Sequence, residues 1–234
     1  MVKTKEKRAT TPMESSYKIK KMVILALLSA MAYVIVFVCR LPIIPSAPFL
    51  DLEFKSAVIL IGSFIFGPLS GLIMSFVICL LEMVTYSSTG LIGCIMNIVA
   101  TVSFVCPAAF VYKKKKSTTG AVLGIAVGAI MMTIAMVLWN YIVSPLYMGV
   151  TREVIATMLL PVFVPFNLIK AVINGAVALF IFKFAIEALQ KTNLIPKPQE
   201  SENNKKSGII GAVIVSAFAI ATCVLIILAY QGVF

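Results

Sequence analysis

Few side chains in this sequence could do chemistry, and most of them interrupt long apolar runs. Lys170 stands inside one such run, with Asn167 three residues before it and Asn174 four after. On a helix these spacings put all three on one face. Asn140 is flanked by Trp139 and Tyr141, Glu82 lies near the end of an apolar run, and Asn97 near the start of the next. A charged group at mid-membrane costs roughly 2.5–3.5 kcal/mol on insertion scales, so an intramembrane ammonium or carboxylate calls for a reason. An ammonium, a carboxylate and several amides suit a ligand with amide-like and hydroxyl polarity, with aromatic and apolar walls supplying most of the burial. A structural role is the alternative for each: Asn can bond across helices, and Glu82 could pair with Lys170. The segment Arg40–Lys55 (RLPIIPSAPFLDLEFK) contains three prolines, which stiffen it, and Phe49 and Leu50 offer apolar atoms. It fits a lid over a ligand or a stiff connector.

Other chemistries lack their residues. Histidine is absent, which removes His-based triads, His–Zn sites and imidazole proton shuttles. The five cysteines are widely spaced and sit mostly in apolar runs, as small hydrophobes would. There is no G-x-x-x-x-G-K-[ST] loop and no G-x-S-x-G elbow. No catalytic residue, metal site or cofactor is therefore expected; binding and transport are better supported than catalysis.

The elements that must position these residues follow from composition. Of 234 residues, 61% are apolar and 12% charged, whereas soluble domains run nearer one half and one quarter. Apolar runs occur at about 22–39, 56–66, 69–86, 91–112, 120–148, 159–186 and 208–230, several long enough to cross a bilayer at about 18 residues or more. The pattern predicts an all-α integral membrane protein. Its second helix is too short to cross upright, at about 18–21 Å. The polar, basic residues 1–17 read as a disordered tail, 18–190 as a six-helix binding domain, 191–207 as a linker and 208–234 as one further membrane helix.

The net charge of +11 is a topology signal. An N terminus on the cytoplasmic side puts the basic tail, Lys113–Lys116 and Lys183, Lys191, Lys197, Lys205 and Lys206 inside, while Arg40, Lys55 and Arg152 fall outside. This implies a multi-pass protein of the cell membrane, in contact with lipid and without a nucleic-acid partner. With the sixth helix starting near Leu159, Lys170 lies roughly 16 Å deep. Small residues recur in Ala26-x-x-x-Ala30, Gly67-x-x-x-Gly71 and Gly120-x-x-x-Gly124-x-x-x-Gly128, a spacing that supports close helix packing, internal or with a partner.

Four stretches carry a family resemblance: Phe66–Gly71 (FGPLSG), Ser103–Lys116 (SFVCPAAFVYKKKK), Asn140–Gly149 (NYIVSPLYMG) and Pro165–Lys170 (PFNLIK). Together they resemble the riboflavin-binding S component of energy-coupling factor (ECF) transporters, over about residues 18–190. The resemblance implies a six-helix subunit with a short second helix that captures riboflavin, or a related flavin, from outside under a first-loop lid. Its partners would be a transmembrane coupling subunit and two ATP-binding subunits. It carries ligand contact onto Asn140, Asn167 and Lys170, and docking of the coupling subunit onto Ala26 and Ala30. Glu82, Asn97, Phe49 and Leu50 complete the expected site. The chain departs from the family pattern in two places. Many members carry a Lys-Asn pair on the third helix where this chain has Ile78-Cys79, and Leu-Asp-Phe-Ser-Asp becomes Leu52-Glu53-Phe54-Lys55-Ser56. Alternatives are an S component for another vitamin or small metabolite, a small membrane enzyme, or a structural subunit.

Overall fold

The computed structural model describes residues 12–44, 50–85, 87, 89–191 and five positions between 220 and 228. Helix α1 runs Pro12–Val38, followed by the strands β1 (Arg40–Pro42) and β2 (Asp51–Glu53). Helices α2 (Lys55–Phe66), α3 (Pro68–Thr85), α4 (Gly90–Lys114) and α5 (Thr118–Met148) come next. The last described rod is α6 (Arg152–Met158), a π-helical turn (Leu159–Phe163) and α7 (Val164–Lys191). Five of these rods are long and apolar enough to cross a membrane, and α2, at 12 residues, is the short one. Within a bilayer, helices satisfy every backbone group internally, which is why this composition folds as a bundle.

Local signals explain the boundaries. Pro12 begins α1, where a missing N–H is harmless. The residues 12–17 expected to belong to a disordered tail are therefore helical; 1–11 lie outside the described residues. Gly67, at φ 93°, makes the turn between α2 and α3. The Ser117 hydroxyl caps α5 by accepting from the Gly120 N–H at 3.1 Å. The sixth rod starts at Arg152, seven residues earlier than expected from the apolar run. Glu153 in the first turn suits the positive end of the helix dipole, and Thr151 occupies the N-cap in an extended conformation without a side-chain cap bond, so the polar residues there begin the helix rather than delay it. Pro161 and Pro165 lack the N–H that an α-helix needs, and the rod widens into a π turn over that stretch.

The small-residue stripe on α5 packs against α4. A Cβ on Gly124 would lie 2.5 Å from the Ala108 carbonyl oxygen, and one on Gly128 would collide with that of Phe104. At one end of the bundle, Phe64, Tyr112 and Phe182 from α2, α4 and α7 form an aromatic cluster with centroid separations of 4.5–5.7 Å. Lys21 near the start of α1 reaches the Phe66 ring at 5.7 Å, so that helix start belongs to the same end.

The opposite end holds the first loop, which is not purely irregular. Strands β1 and β2 pair antiparallel, with Arg40 opposite Glu53, Leu41 opposite Leu52 and Pro42 opposite Asp51. An all-α fold thus carries a minimal β-hairpin. Ile43, Ile44, Leu50 and Leu52 of this loop are buried against Ile155, Val162, Phe163, Phe166, Ile169 and Ile173 of the last rod. Cys223 packs into the same cluster and is helical, as are Ile220, Val224, Ile227 and Leu228. The linker and most of the expected final helix lie outside the described residues, as does Phe49.

Candidate functional site

A cavity of about 260 Å³ opens at the hairpin end of the bundle. That is just below the roughly 300–1,000 Å³ of typical small-ligand sites. Its wall combines Arg40, Leu50, Asp51 and Glu53 from the hairpin, Cys79 and Glu82 from α3, Cys94 and Asn97 from α4, Tyr147 from α5, and Phe166 and Lys170 from the last helix. Four of the expected site residues therefore meet there: Leu50, Glu82, Asn97 and Lys170. Two others, Asn140 and Asn167, are buried but not on the wall.

Burial of so many charges requires pairing. Lys170 Nζ donates to Glu53 Oε1 at 2.8 Å and to the Asp51 carbonyl oxygen at 3.4 Å, and lies 5.6 Å from the Phe166 ring centroid. The same Glu53 Oε1 stands 3.0 Å from Lys55 Nζ. Lys55 in turn donates to both Glu82 oxygens, at 2.8 and 2.6 Å. Glu82 Oε2 also accepts from Asn97 Nδ2 at 3.3 Å. The result is an alternating chain, Lys170–Glu53–Lys55–Glu82–Asn97, that stitches α7, β2, α2, α3 and α4 together behind and along the cavity. At the rim, Arg40 pairs with Asp51 at 3.9 Å.

This arrangement corrects two expectations. Glu82 and Lys170 are not a pair; each is held by a different partner. Lys55, counted as an outer-loop charge, is fully buried. It opens α2 where the apolar run was expected to begin one residue later, and the approaching carboxylates make that interior position tolerable. Glu53 shows the balance of forces directly. Burial pushes its carboxyl pKa up, yet the ammonium groups of Lys170 and Lys55 outweigh it and hold the value at about 2, below the ordinary 4.5.

The amides sort into different tasks. Asn174 is structural: Oδ1 accepts from the Ala57 N–H at 2.9 Å, and Nδ2 donates to the carbonyl oxygens of Glu53 (2.8 Å) and Lys170 (2.9 Å). It adds a second acceptor to the Ala57 N–H, which also reaches the Phe54 carbonyl at 3.1 Å, and ties the hairpin to α7. Asn140 Nδ2 donates to the Met136 carbonyl at 2.7 Å, and its Oδ1 accepts from Ser144 Oγ at 2.7 Å. Ser144 Oγ lies 3.0 Å from the Tyr147 hydroxyl, so this polar line along α5 ends on the cavity wall. Asn167 Nδ2 donates to the Phe163 carbonyl at 2.7 Å, within the π turn. Ala26 and Ala30 sit on the exposed face of α1, away from the cavity. Sequence reasoning did not select Glu53, Lys55, Asp51, Arg40 or Tyr147. The available signal was the alternation of acid and base in Asp51-x-Glu53-x-Lys55 directly before an apolar helix.

Among the described residues, no group of three or more His, Cys, Asp or Glu side chains is placed to hold a metal ion. A membrane bundle with a charge-balanced, one-ended cavity under a docked hairpin defines a solute-binding membrane protein. The chain belongs to the substrate-specific components of ECF transporters: the model of that family matches residues 20–182. It is 31% identical to the riboflavin transporter RibU of Staphylococcus aureus over 170 residues, covering 70% of this chain and 89% of that protein. It is 28% identical to the riboflavin transporter FmnP of Bacillus subtilis, covering 70% and 91%. A solved S component of a bacterial ECF transporter superposes with a TM-score of 0.60 at 29% identity, covering 75% of this chain and 98% of that one. The chain is thus a multi-pass membrane transport component, and the reading as an enzyme falls away.

Proposed function

We propose that the chain is the riboflavin-binding subunit of an ECF-type vitamin uptake transporter and captures its ligand in the cavity at the hairpin end. The observation that carries this reading is the wall itself, where Lys170, Glu82, Asn97 and Tyr147 present donors and acceptors beside Phe166 and Leu50. A flavin offers a flat ring for the apolar side, imide groups for ammonium and amides, and ribityl hydroxyls for carboxylates. The riboflavin transporters among its relatives support the choice of ligand. Phe49, Asn140 and Asn167 complete the proposed contact set, the two asparagines by turning amides now bonded to their own helices.

The cavity faces outward in this reading and the N terminus is cytoplasmic. In support, Lys18, Lys20 and Lys21 near the start of α1, Lys113–Lys116 at the end of α4 and in the turn to α5, and Lys191 at the end of α7 all stand at the end away from the cavity. Residues 40–55 serve as the lid, since the hairpin supplies one wall of the cavity and leaves its neighbours only by breaking contacts with α7. Residues 18–190 form the binding domain, 191–207 a cytoplasmic linker, and 208–234 an added membrane helix. A transmembrane coupling subunit docks on the small-residue face at Ala26 and Ala30, and two ATP-binding subunits drive release inward. The test is a riboflavin titration of purified protein, read by quenching of flavin fluorescence. Binding at nanomolar concentrations is expected; no binding at micromolar riboflavin would end the reading.

A further inference from the structure

Lys170 faces the cavity, yet its ammonium is already engaged by Glu53. We propose that Lys55 is a positioning residue that neutralises Glu53 from behind, so that Lys170 can exchange Glu53 for an acceptor on the ligand. This inference rests on the riboflavin-site reading above and deepens it.

The geometry separates a fixed cation from a movable one. Lys55 is absent from the cavity wall and its side chain is fully enclosed, whereas the Lys170 side chain retains 10% exposure and lines the cavity. Both ammonium groups reach the same atom, Glu53 Oε1, at 3.0 and 2.8 Å. Lys55 is held in turn by both oxygens of Glu82, at 2.8 and 2.6 Å. Removing one partner of a buried ion pair is strongly destabilising because it strands the other charge. A ligand that drew Lys170 from a singly paired carboxylate would lose affinity by that amount. With Lys55 in place, Glu53 stays paired when Lys170 turns away. The backbone need not move, because the Asn174 amide holds the carbonyls of both Glu53 and Lys170 and the Ala57 N–H. Lys170 is then free to swing as a flexible stem on a fixed base.

The test uses the full chain carrying Lys55→Met, alone or combined with Glu53→Gln or Glu82→Gln. Each double variant removes one buried cation and one buried anion. Riboflavin affinity is read by fluorescence quenching on monodisperse protein. Lys55→Met alone should bind at least tenfold more weakly than the unaltered chain. Glu82 lines the cavity itself, so each double variant is compared with its matching single variant. Adding K55M to E82Q should weaken binding at least tenfold, because Glu53 is stranded when Lys170 turns to the ligand. Adding K55M to E53Q should change affinity less than threefold, because Glu82 then lacks its lysine in the free and bound protein alike. If K55M alone does not purify, these two comparisons decide. Equal effects of K55M in the two backgrounds, the reverse order, or failure of either double variant to fold would overturn the proposal and leave Lys55 a folding residue. An unaltered chain that does not bind riboflavin defeats the ligand reading itself, a result distinct from any ordering among the variants.

Discussion

Replacing Lys170 by alanine is the perturbation whose size follows most directly from the structure. In the free protein the substitution removes a 2.8 Å charge-assisted bond to Glu53. A carboxylate left wholly unpaired in the interior costs about 3–5 kcal/mol. Here Lys55 remains 3.0 Å away, so the loss is confined to one bond to a charged group, about 1.5–3 kcal/mol. The chain should therefore still fold. If the ammonium exchanges Glu53 for a ligand acceptor, the two bonds nearly cancel in the affinity, and what the variant complex lacks is a donor for a buried acceptor of the ligand, about 1–3 kcal/mol or roughly 5- to 150-fold in Kd. A riboflavin titration of the unaltered and Lys170→Ala proteins reads this directly. Lys170→Met, which keeps most of the aliphatic stem over Phe166, separates lost charge from lost packing. Affinities within threefold of the unaltered chain for both variants would refute the placement of the ligand against Lys170.

Other outcomes follow from the same contacts. Asn174→Ala removes the amide bonds to the Ala57 N–H, which keeps the Phe54 carbonyl at 3.1 Å, and to the hairpin carbonyl of Glu53. It should lower stability by about 1–3 kcal/mol for the two buried hydrogen bonds lost, read as a lower midpoint in detergent thermal unfolding. Gly124→Val drives a side chain against the Ala108 carbonyl and should cost about 1–3 kcal/mol by overpacking, with the same readout. The Glu53 carboxyl is held down at about 2 against an ordinary 4.5, so its contribution to stability is complete above pH 4.5 and is lost as pH falls towards 2. Stability measured from pH 7 to pH 3 should fall less below pH 4.5 in Glu53→Gln than in the unaltered chain; identical slopes would count against the pairing.

Much of this fold could be read in the sequence because its signal is the length of apolar runs. Even the short second helix, 12 residues in the structure, was visible between Lys55 and the Gly67-Pro68 turn. The hairpin was not: three-residue strands beside prolines leave no periodicity to detect. The site was legible as a set of residue types but not as a set of partners. Glu82 and Lys170 are the obvious opposite charges, yet the actual pairs span 27 residues (Lys55–Glu82) and 117 (Glu53–Lys170) and depend on how the first loop folds inward. Lys55 was hidden by one residue of helix-boundary error, since a charge at the edge of an apolar run reads as exposed. Asn140 and Asn167 show a different limit. An amide bonded to the carbonyl four residues back on its own helix has the same sequence signature as one turned toward a ligand.

The most direct measurement asks whether the cavity at the hairpin end holds riboflavin. Protein purified from cells grown with the vitamin should be yellow, and denaturation should release a compound with the absorbance spectrum and mass of riboflavin in a one-to-one ratio with the chain. Lys170→Ala prepared in parallel should retain less of it. Release of a different molecule, or a colourless protein that stays colourless after incubation with micromolar riboflavin, would show that the cavity does not hold riboflavin.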